Sequence, residues 1–217
     1  MIRSRSWDWD KVTDPKWERP AEEVYPVALR WKREGKRKVL DLGCGIGRHA
    51  LFLAEMGFQV EAFDLSESGV ARLKEASQAR GLSIGVAVGG MLSLPFESNH
   101  FDGILAFHVI YHTDQTGIKL VMLEIRRVLA GDGEIFVTFN SKCNPSFADP
   151  NSKRVDENTI VTMDGDEEGI PHCYLDENEI RRLMSGFEIT RLTHLEELTP
   201  GGQKWRYFVQ ARKISLH

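Results

Sequence analysis

Apolar residues recur along this chain with two periods that take turns. Val39-Leu40-Asp41-Leu42, Phe58 to Asp64, Leu82 to Val88, Phe101 to Phe107 and Glu134 to Phe139 are short apolar or alternating runs, which predict strands. Between them the spacing lengthens to three and four. One helix is expected over 20–34, with Pro20 in its first turn and Val24, Val27, Ala28 and Trp31 on one face. A second carries Leu51, Leu53, Ala54 and Met56 and stops at Gly57. A third is capped by Ser66, carries Val70, Leu73 and Ser77, and ends at Gly81. The strongest amphipath, 114–130, aligns Ile118, Val121, Met122, Ile125, Val128 and Leu129, after which Gly131-Asp132-Gly133 turns into the fifth strand. Strand and helix in alternation predict an α/β, doubly wound fold: a mostly parallel sheet with helices on both faces.

The pattern breaks at 141–171, a polar stretch with Pro145, Pro150 and Pro171. It is long for a bare loop, so a functional cover, an insertion or a mobile segment is expected there. Asp176-Glu177-Asn178-Glu179 then has the form of a capping box opening a last helix with Ile180, Leu183 and Met184. Phe187 to Leu192 and Trp205 to Ala211 read as two closing strands. Residues 1–35 divide off as an N-terminal segment and helix. Trp7, Trp9 and Trp17 there are either a lid or packing on the first helix. Residues 36–217 form one domain, with 141–171 as its cover loop or insertion.

Composition narrows the classes. At 217 residues, 41% hydrophobic and 28% charged, the chain can bury a core of its own. No run approaches about 18 uninterrupted apolar residues, so no membrane-spanning helix is expected, and the first residues lack the apolar centre of a secretory signal. A net charge of -4 disfavours a broad nucleic-acid surface. Three cysteines, Cys44, Cys143 and Cys173, make no disulfide framework and point to a reducing cytoplasm. A monomer or a homodimer is expected.

The first strand runs into Asp41-Leu42-Gly43-Cys44-Gly45-Ile46-Gly47-Arg48. Glycines there allow a sharp turn and a close approach of a ligand to the backbone. In a doubly wound sheet the ligand lies beyond the carboxyl ends of the strands. Asp64, ending the second strand, is placed to accept both hydroxyl hydrogens of a ribose. The dinucleotide fingerprint G-x-G-x-x-G is met at Gly43 and Gly45, but its third glycine falls on Arg48. Asp41 would repel a pyrophosphate. It would welcome S-adenosylmethionine (SAM), which has no phosphate and carries a sulfonium and an ammonium. An NAD-dependent oxidoreductase is therefore the lesser reading, and a catalytically idle SAM-binding module stays open beside it.

The run Val39 to Gly47 resembles motif I of the class I SAM-dependent methyltransferases. The likeness continues through Asp64, Leu94-Pro95-Phe96 ahead of Phe101-Asp102, and Arg127-Val128-Leu129 before Gly131-Asp132-Gly133. Within that superfamily, Gly47 to Ala54 and Glu179-Ile180-Arg181-Arg182 resemble the tellurite-resistance-type enzymes. The resemblance implies a seven-stranded, Rossmann-like sheet with its last strand antiparallel, and SAM as cofactor. It implies that Asp41 and the backbone of Gly43, Cys44, Gly45 and Gly47 hold the methionine end, that Asp64 binds the ribose, that Leu65 packs on the adenine, that Met91 and Leu92 lie along its edge, and that Phe107 lines the pocket. Many relatives hold the adenine amino group with an aspartate where this chain has Gly90, so that contact would fall to the backbone of Met91. The His-Arg pair of the tellurite-type proteins is absent ahead of the last strand, where Leu198-Thr199-Pro200-Gly201-Gly202 stands, so tellurite is not the expected substrate.

A small-molecule acceptor is expected over the ends of strands four and five. Tyr111 and His112, with His108 behind them, are the candidate catalytic contacts, since histidine can take a proton or orient an acceptor. Asn140, Ser141 and Pro171-His172-Cys173-Tyr174 lie nearby in sequence, and Lys204 and Arg206 are placed for an oxyanion. No metal is expected. His108 and His112 lack the glutamate of H-E-x-x-H, and Cys143, His172 and Cys173 have odd spacing for zinc. Cys44 also reads as a small residue beneath the loop, Asp64 as a helix cap, and Asp164-Gly165-Asp166-Glu167-Glu168 as a solvated loop.

Overall fold

The computed structural model describes residues 5–11, 14–163, 167–199 and 202–215. The alternation read from the sequence becomes α1 (Val24–Arg33), β1 (Lys38–Leu42), α2 (Arg48–Glu55), β2 (Gln59–Asp64), α3 (Glu67–Ala79), β3 (Ile84–Val88), β4 (Phe101–Ala106), α4 (Gln115–Val128) and β5 (Leu129–Ser141). There follow β6 (Lys153–Arg154), β7 (Thr159–Val161), β8 (Pro171–Leu175), α5 (Glu177–Leu183), β9 (Phe187–Thr199) and β10 (Gly202–Lys213). The main sheet has the order β3-β2-β1-β4-β5-β10-β9. The first five strands are parallel and β10 runs antiparallel to both its neighbours. This is the expected seven-stranded frame with an antiparallel last strand. The strand order reverses between β1 and β4, which opens a crevice at their carboxyl ends.

Strand neighbours point to opposite faces, and the core divides accordingly. Val39, Leu105 and Phe136 pack with α1, α2 and α3, whereas Leu40, Ile104 and Ile135 pack with α4 and α5. Glu134, fully buried on β5, ties α1 to the sheet. Its carboxylate accepts from Arg30 Nη1 (2.7 Å) and Nη2 and from Trp31 Nε1 (3.1 Å).

Several local expectations are met by their mechanism. Ser66 caps α3 by accepting from the Gly69 N–H. Asp176 and Glu179 exchange the two hydrogen bonds of a capping box at α5. Several boundaries move. The helix expected over 20–34 begins only at Val24, so Pro20 lies ahead of its first turn. The helix expected to 130 stops at Val128, and Gly131-Asp132-Gly133 is not a turn ahead of β5 but a bulge within it, where Phe101 faces Leu129 and Gly103 already faces Glu134. The glycines allow the extra residues to be absorbed there. β9 and β10 also outrun their expected ends, pairing as far as Thr199 opposite Gly202; that half of the hairpin is charged on both faces and carries little apolar alternation.

Residues 141–175 add a short antiparallel ladder of β6, β7 and β8. β8 joins the tip of β5 through Asn140 opposite Tyr174 and Ser141 opposite Leu175. The Cys173 N–H donates to the Tyr111 carbonyl at 2.8 Å. The ladder therefore stands beside the crevice. No helix among the described residues is long and apolar enough to cross a membrane.

Candidate active site

β1 ends in a loop whose backbone is held by the neighbouring strand. The N–H groups of Gly43 and Cys44 donate to the Phe63 carbonyl, at 2.7 and 3.2 Å. Gly43 has φ +74°, and a Cβ there would meet the Val109 side chain at 2.3 Å. Only glycine fits that approach between the first loop and the tip of β4. Asp64 braces the same loop. Its Oδ2 accepts from the Gly45 N–H and its Oδ1 from the Ser66 N–H, both at 2.8 Å. Burial pushes the Asp64 carboxyl up, against the pull of those backbone donors. Ser66 holds the N-cap, so Asp64 supports the cap from two residues ahead.

Asp41 lies beneath the loop, only 1% exposed, and its Oδ2 has no hydrogen-bond partner. Burial raises this carboxyl to about 7, against a backbone hydrogen bond from Ala50 and the charge of Arg48.

The N-terminal segment roofs this end. Trp9 fills the space left by two glycines: a Cβ on Gly45 would meet its ring at 2.3 Å, and one on Gly69 at 2.6 Å. Ser66 Oγ donates to the Trp7 carbonyl and Arg72 Nη1 to the Trp9 carbonyl, each at 2.8 Å. Trp9 meets Trp17 edge-on, and the Arg48 guanidinium lies over Trp17 at 4.8 Å.

Beneath that roof a cavity of about 990 Å³ runs from the glycine loop to the ends of β4 and β10. Of the residues singled out in the sequence, Gly43, Cys44, Asp64, Leu65, Gly90, Met91, Phe107, His108, Tyr111 and His112 line it. Asp41, Gly45, Gly47 and Leu92 are not on its wall. Asp41 is under the loop, Gly45 is covered by Trp9, Gly47 faces Leu73, and Leu92 packs against the core.

At the far end the segment after β4 is a turn rather than a helix, so the spacing of His108 and His112 puts no common helical face there. His108 adopts φ +58°, the left-handed region that a side chain seldom occupies. Thr138 Oγ1 holds it there, accepting from the His108 N–H at 2.7 Å and meeting its Nδ1 at 3.1 Å. Burial keeps His108 well below the usual imidazole range and brings His112 down to about 3, so both rings are neutral at physiological pH. Burial raises the Tyr111 phenol to about 12, so it stays protonated.

Alternation along β10 turns Arg206 and Phe208 to this side. Phe208 packs tilted against Phe107 and edge-on to His108. Arg206 donates to Glu197 at 2.7 Å, while its buried Nε has no hydrogen-bond partner, and the neighbouring Tyr111 and Glu197 raise its guanidinium against the effect of burial. Lys204 also lines the cavity.

The turn before β8 supplies a residue whose acidic neighbours make it look like part of a solvated loop. Glu167 lines the cavity, with Thr162 and Ile170 beside it. Asp164, Gly165 and Asp166 of that acidic run lie outside the described residues. Glu167 is part-buried, which would raise its carboxyl, but the polar contact with His172 and the charge of Lys204 help to hold it down at about 2. His172 packs edge-on to His112, ring centres 4.9 Å apart. Cys143, His172 and Cys173 do not converge: Cys173 is buried in the apolar cluster and Cys143 is exposed.

A family model for a methyltransferase domain matches residues 39–133, the stretch from β1 into β5. The chain is 36% identical over 63 residues to a probable SAM-dependent methyltransferase, TehB, of Haemophilus influenzae, covering 29% of this chain and 22% of that protein. It is 28% identical over 176 residues to 24-methylenesterol C-methyltransferase 2 of Arabidopsis thaliana, covering 78% of this chain and 46% of that one. The chain thus spans less than half the length of these relatives. In fold it is similar to the crystal structure of a SAM-dependent methyltransferase from Methanosarcina mazei, with TM-score 0.76 and 20% identity over 88% of this chain and 99% of that one. It is also similar to the 1,6-didemethyltoxoflavin-N1-methyltransferase of Burkholderia thailandensis, solved with its acceptor and S-adenosylhomocysteine. There the TM-score is 0.66 and identity 19%, over 88% and 78% of the two chains.

Proposed function

We propose that this chain, which belongs to the class I SAM-dependent methyltransferase superfamily, transfers the sulfonium methyl group to a small acceptor bearing a carboxylate or similar oxyanion. The observation that carries the reading is one continuous cavity with carboxylates at the glycine-loop end and Arg206 and Lys204 at the other. Its volume suits a cofactor and a small acceptor together. Relatives act on small molecules by name, among them a glycine/sarcosine/dimethylglycine N-methyltransferase of Actinopolyspora halophila, whose acceptors carry a carboxylate.

The residues present fit the cofactor. Asp41, raised to about 7 in the empty site and with one oxygen unpartnered, is a carboxyl that a bound sulfonium or ammonium would favour in its ionised form. Asp64 keeps lone pairs for the ribose hydroxyls at the tip of β2. Leu65, Gly90 and Met91 flank a slot for the adenine, and Phe107 closes the floor. Bound there, the cofactor supplies an electrophilic methyl group on a good leaving group. The protein contributes alignment and exclusion of water, under the three N-terminal indoles. Arg206 pairs with the acceptor's anionic group, and Tyr111 donates a hydrogen bond. Neutral His108 and His112 orient the acceptor. A ring that protonates only near 3 is a weak base, so an amino or thiol nucleophile loses its proton to solvent before the methyl group is transferred.

Calorimetric titration with S-adenosylhomocysteine tests the cofactor half. Asp64→Asn is expected to weaken binding by about 1.5–3 kcal/mol, the cost of a charged hydrogen-bond acceptor. Transfer of labelled methyl groups to a panel of small amino and thiol carboxylates tests the acceptor half. Binding of NADH with no binding of S-adenosylhomocysteine overturns the reading in favour of an oxidoreductase. Cofactor binding with no transfer to any acceptor overturns it in favour of an idle binding module.

A further inference from the structure

We infer that His112, Glu167 and His172 form a binding site for one divalent transition-metal ion at the acceptor end of the cavity. The inference goes beyond the methyl-transfer reading and rests on donor geometry alone. The three residues come from the turn after β4, the turn before β8 and β8 itself, and one donor atom from each lies within 4.8 Å of the others. Among the described residues no other group of three such side chains converges this closely.

The state of His172 is what calls for a cation. The ring is only 3% exposed. Its Nδ1 stands 3.1 Å from the Ile170 carbonyl oxygen, which can only accept, so Nδ1 carries the proton. Nε2 is then the ring atom left to meet a ligand. That atom is buried without a hydrogen-bond partner, and it faces Glu167 Oε2 at 3.4 Å. A buried imidazole nitrogen and a carboxylate oxygen that face each other without a hydrogen bond are both satisfied by a cation placed between them. A first-row ion about 2.1 Å from each donor sets neighbouring donors about 3–3.5 Å apart, the spacing the Glu167–His172 pair already has. His112 closes on the same point from the cavity side. Glu167, half-exposed on its turn, has room to follow.

The donor set also selects the ion. Two imidazoles and one carboxylate suit zinc, iron(II), cobalt(II) or nickel(II) better than magnesium or calcium. Three protein ligands leave coordination positions open, and His112 and Glu167 both line the cavity, so the open positions face the acceptor. An oxygen, nitrogen or sulfur atom of the acceptor can occupy one. Arg206 and Lys204 stand on the same wall and oppose a cation, so the site is weaker than a closed four-ligand one.

The test uses the full chain, stripped by a chelator and titrated with cobalt(II) while visible absorption is recorded. One cobalt per chain is expected, with the ligand-field bands of nitrogen coordination, displaced by zinc. Glu167→Gln and His172→Ala are each expected to weaken cobalt binding at least about tenfold. S-adenosylhomocysteine affinity, measured in parallel, is expected to stay unchanged and so reports that each variant is folded. Glu167→Gln keeps the shape of a half-exposed side chain, so it serves even where His172→Ala does not fold. Absence of stoichiometric cobalt from the wild-type chain overturns the inference, as does equal binding by wild type and Glu167→Gln. A chain that binds S-adenosylhomocysteine but no cobalt sinks the metal site and leaves methyl transfer standing; cobalt without S-adenosylhomocysteine does the reverse.

Discussion

At the glycine-loop end of the cavity, the wall is built round one stretch of chain, residues 42–65, whose backbone is tied to itself and roofed by the N-terminal indoles. At the far end it is built of side chains from residues 108–112, 167–172 and 204–206, brought together by strands that are far apart in sequence. The first end is braced: Gly43, Gly45 and Ser66 are tied to Phe63 and Asp64 by short hydrogen bonds. At the second, Arg206 Nε and His172 Nε2 are buried without partners, as Asp41 Oδ2 is beneath the loop. The charged groups differ as well, Asp64 at the tip of β2 and Lys204 and Arg206 on β10. A site divided in this way holds a cationic ligand at one end by local geometry and leaves the other end to be shaped by whatever residues the later strands carry.

The strongest way to break the comparison is to join the two ends by force. In Gly43→Ala the new methyl meets Val109, a stiff β-branched side chain on the far side of the loop, in a left-handed conformation. The cost expected is about 2–5 kcal/mol from strain and overpacking, read as a fall in unfolding temperature with loss of S-adenosylhomocysteine binding. A variant that keeps both would show that the loop is less braced than its hydrogen bonds imply.

Next in size is the electrostatic cost of the loop end. Asp41 holds its proton more tightly folded than unfolded, its pKa rising from 3.8 to about 7. The stability this contributes is full below the lower value and is lost as pH rises through the higher one. Asp41→Asn removes the dependence and is expected to stabilise the ligand-free chain at pH 8 by up to about 4 kcal/mol, with little change at pH 4. Chemical denaturation at the two pH values measures the difference, and a constant gain at both would contradict it.

A smaller effect sharpens the other end. Arg206→Gln removes the cation facing the acceptor but leaves the loop untouched. We expect KM for a carboxylate acceptor to rise about tenfold to a hundredfold, as for a charged hydrogen bond, with S-adenosylhomocysteine affinity unchanged. A fall in cofactor affinity instead would mean the two ends are coupled. Smallest is Asp176→Ala, which removes the cap of α5 behind β8. A loss of about 1 kcal/mol in stability is expected, with acceptor kinetics unaltered.

The same contrast separates what is legible in the amino-acid sequence from what is not. Strands, helices, the Ser66 cap and the Asp176 capping box are local, since each is decided by spacing within a few residues. Asp64 is legible because it ends a strand adjacent to the glycine loop. Glu167 is not: it sits in an acidic run that looks solvated, and only the addition of β8 to the tip of β5 carries it to His112. The seat of Trp9 is equally hidden, because the aromatic residues near the N-terminus have no period. The available signal is Gly69, a glycine in the first turn of an apolar helix face, whose missing side chain together with Gly45 leaves a slot the size of an indole. The bulge at Gly131–Gly133 looks like a turn because glycine spacing alone cannot say whether a chain reverses or absorbs extra residues.

The roof over the glycine loop has a consequence for affinity. Trp7, Trp9 and Trp17 line the same space that a ligand would fill, while the carbonyls of Trp7 and Trp9 are hooked to Ser66 and Arg72. A molecule that binds more tightly when those indoles are in place steadies the segment, and by reciprocity the seated segment raises the affinity for that molecule by the same factor. Part of the grip at this end is thereby lent by chain that lies outside the sheet altogether.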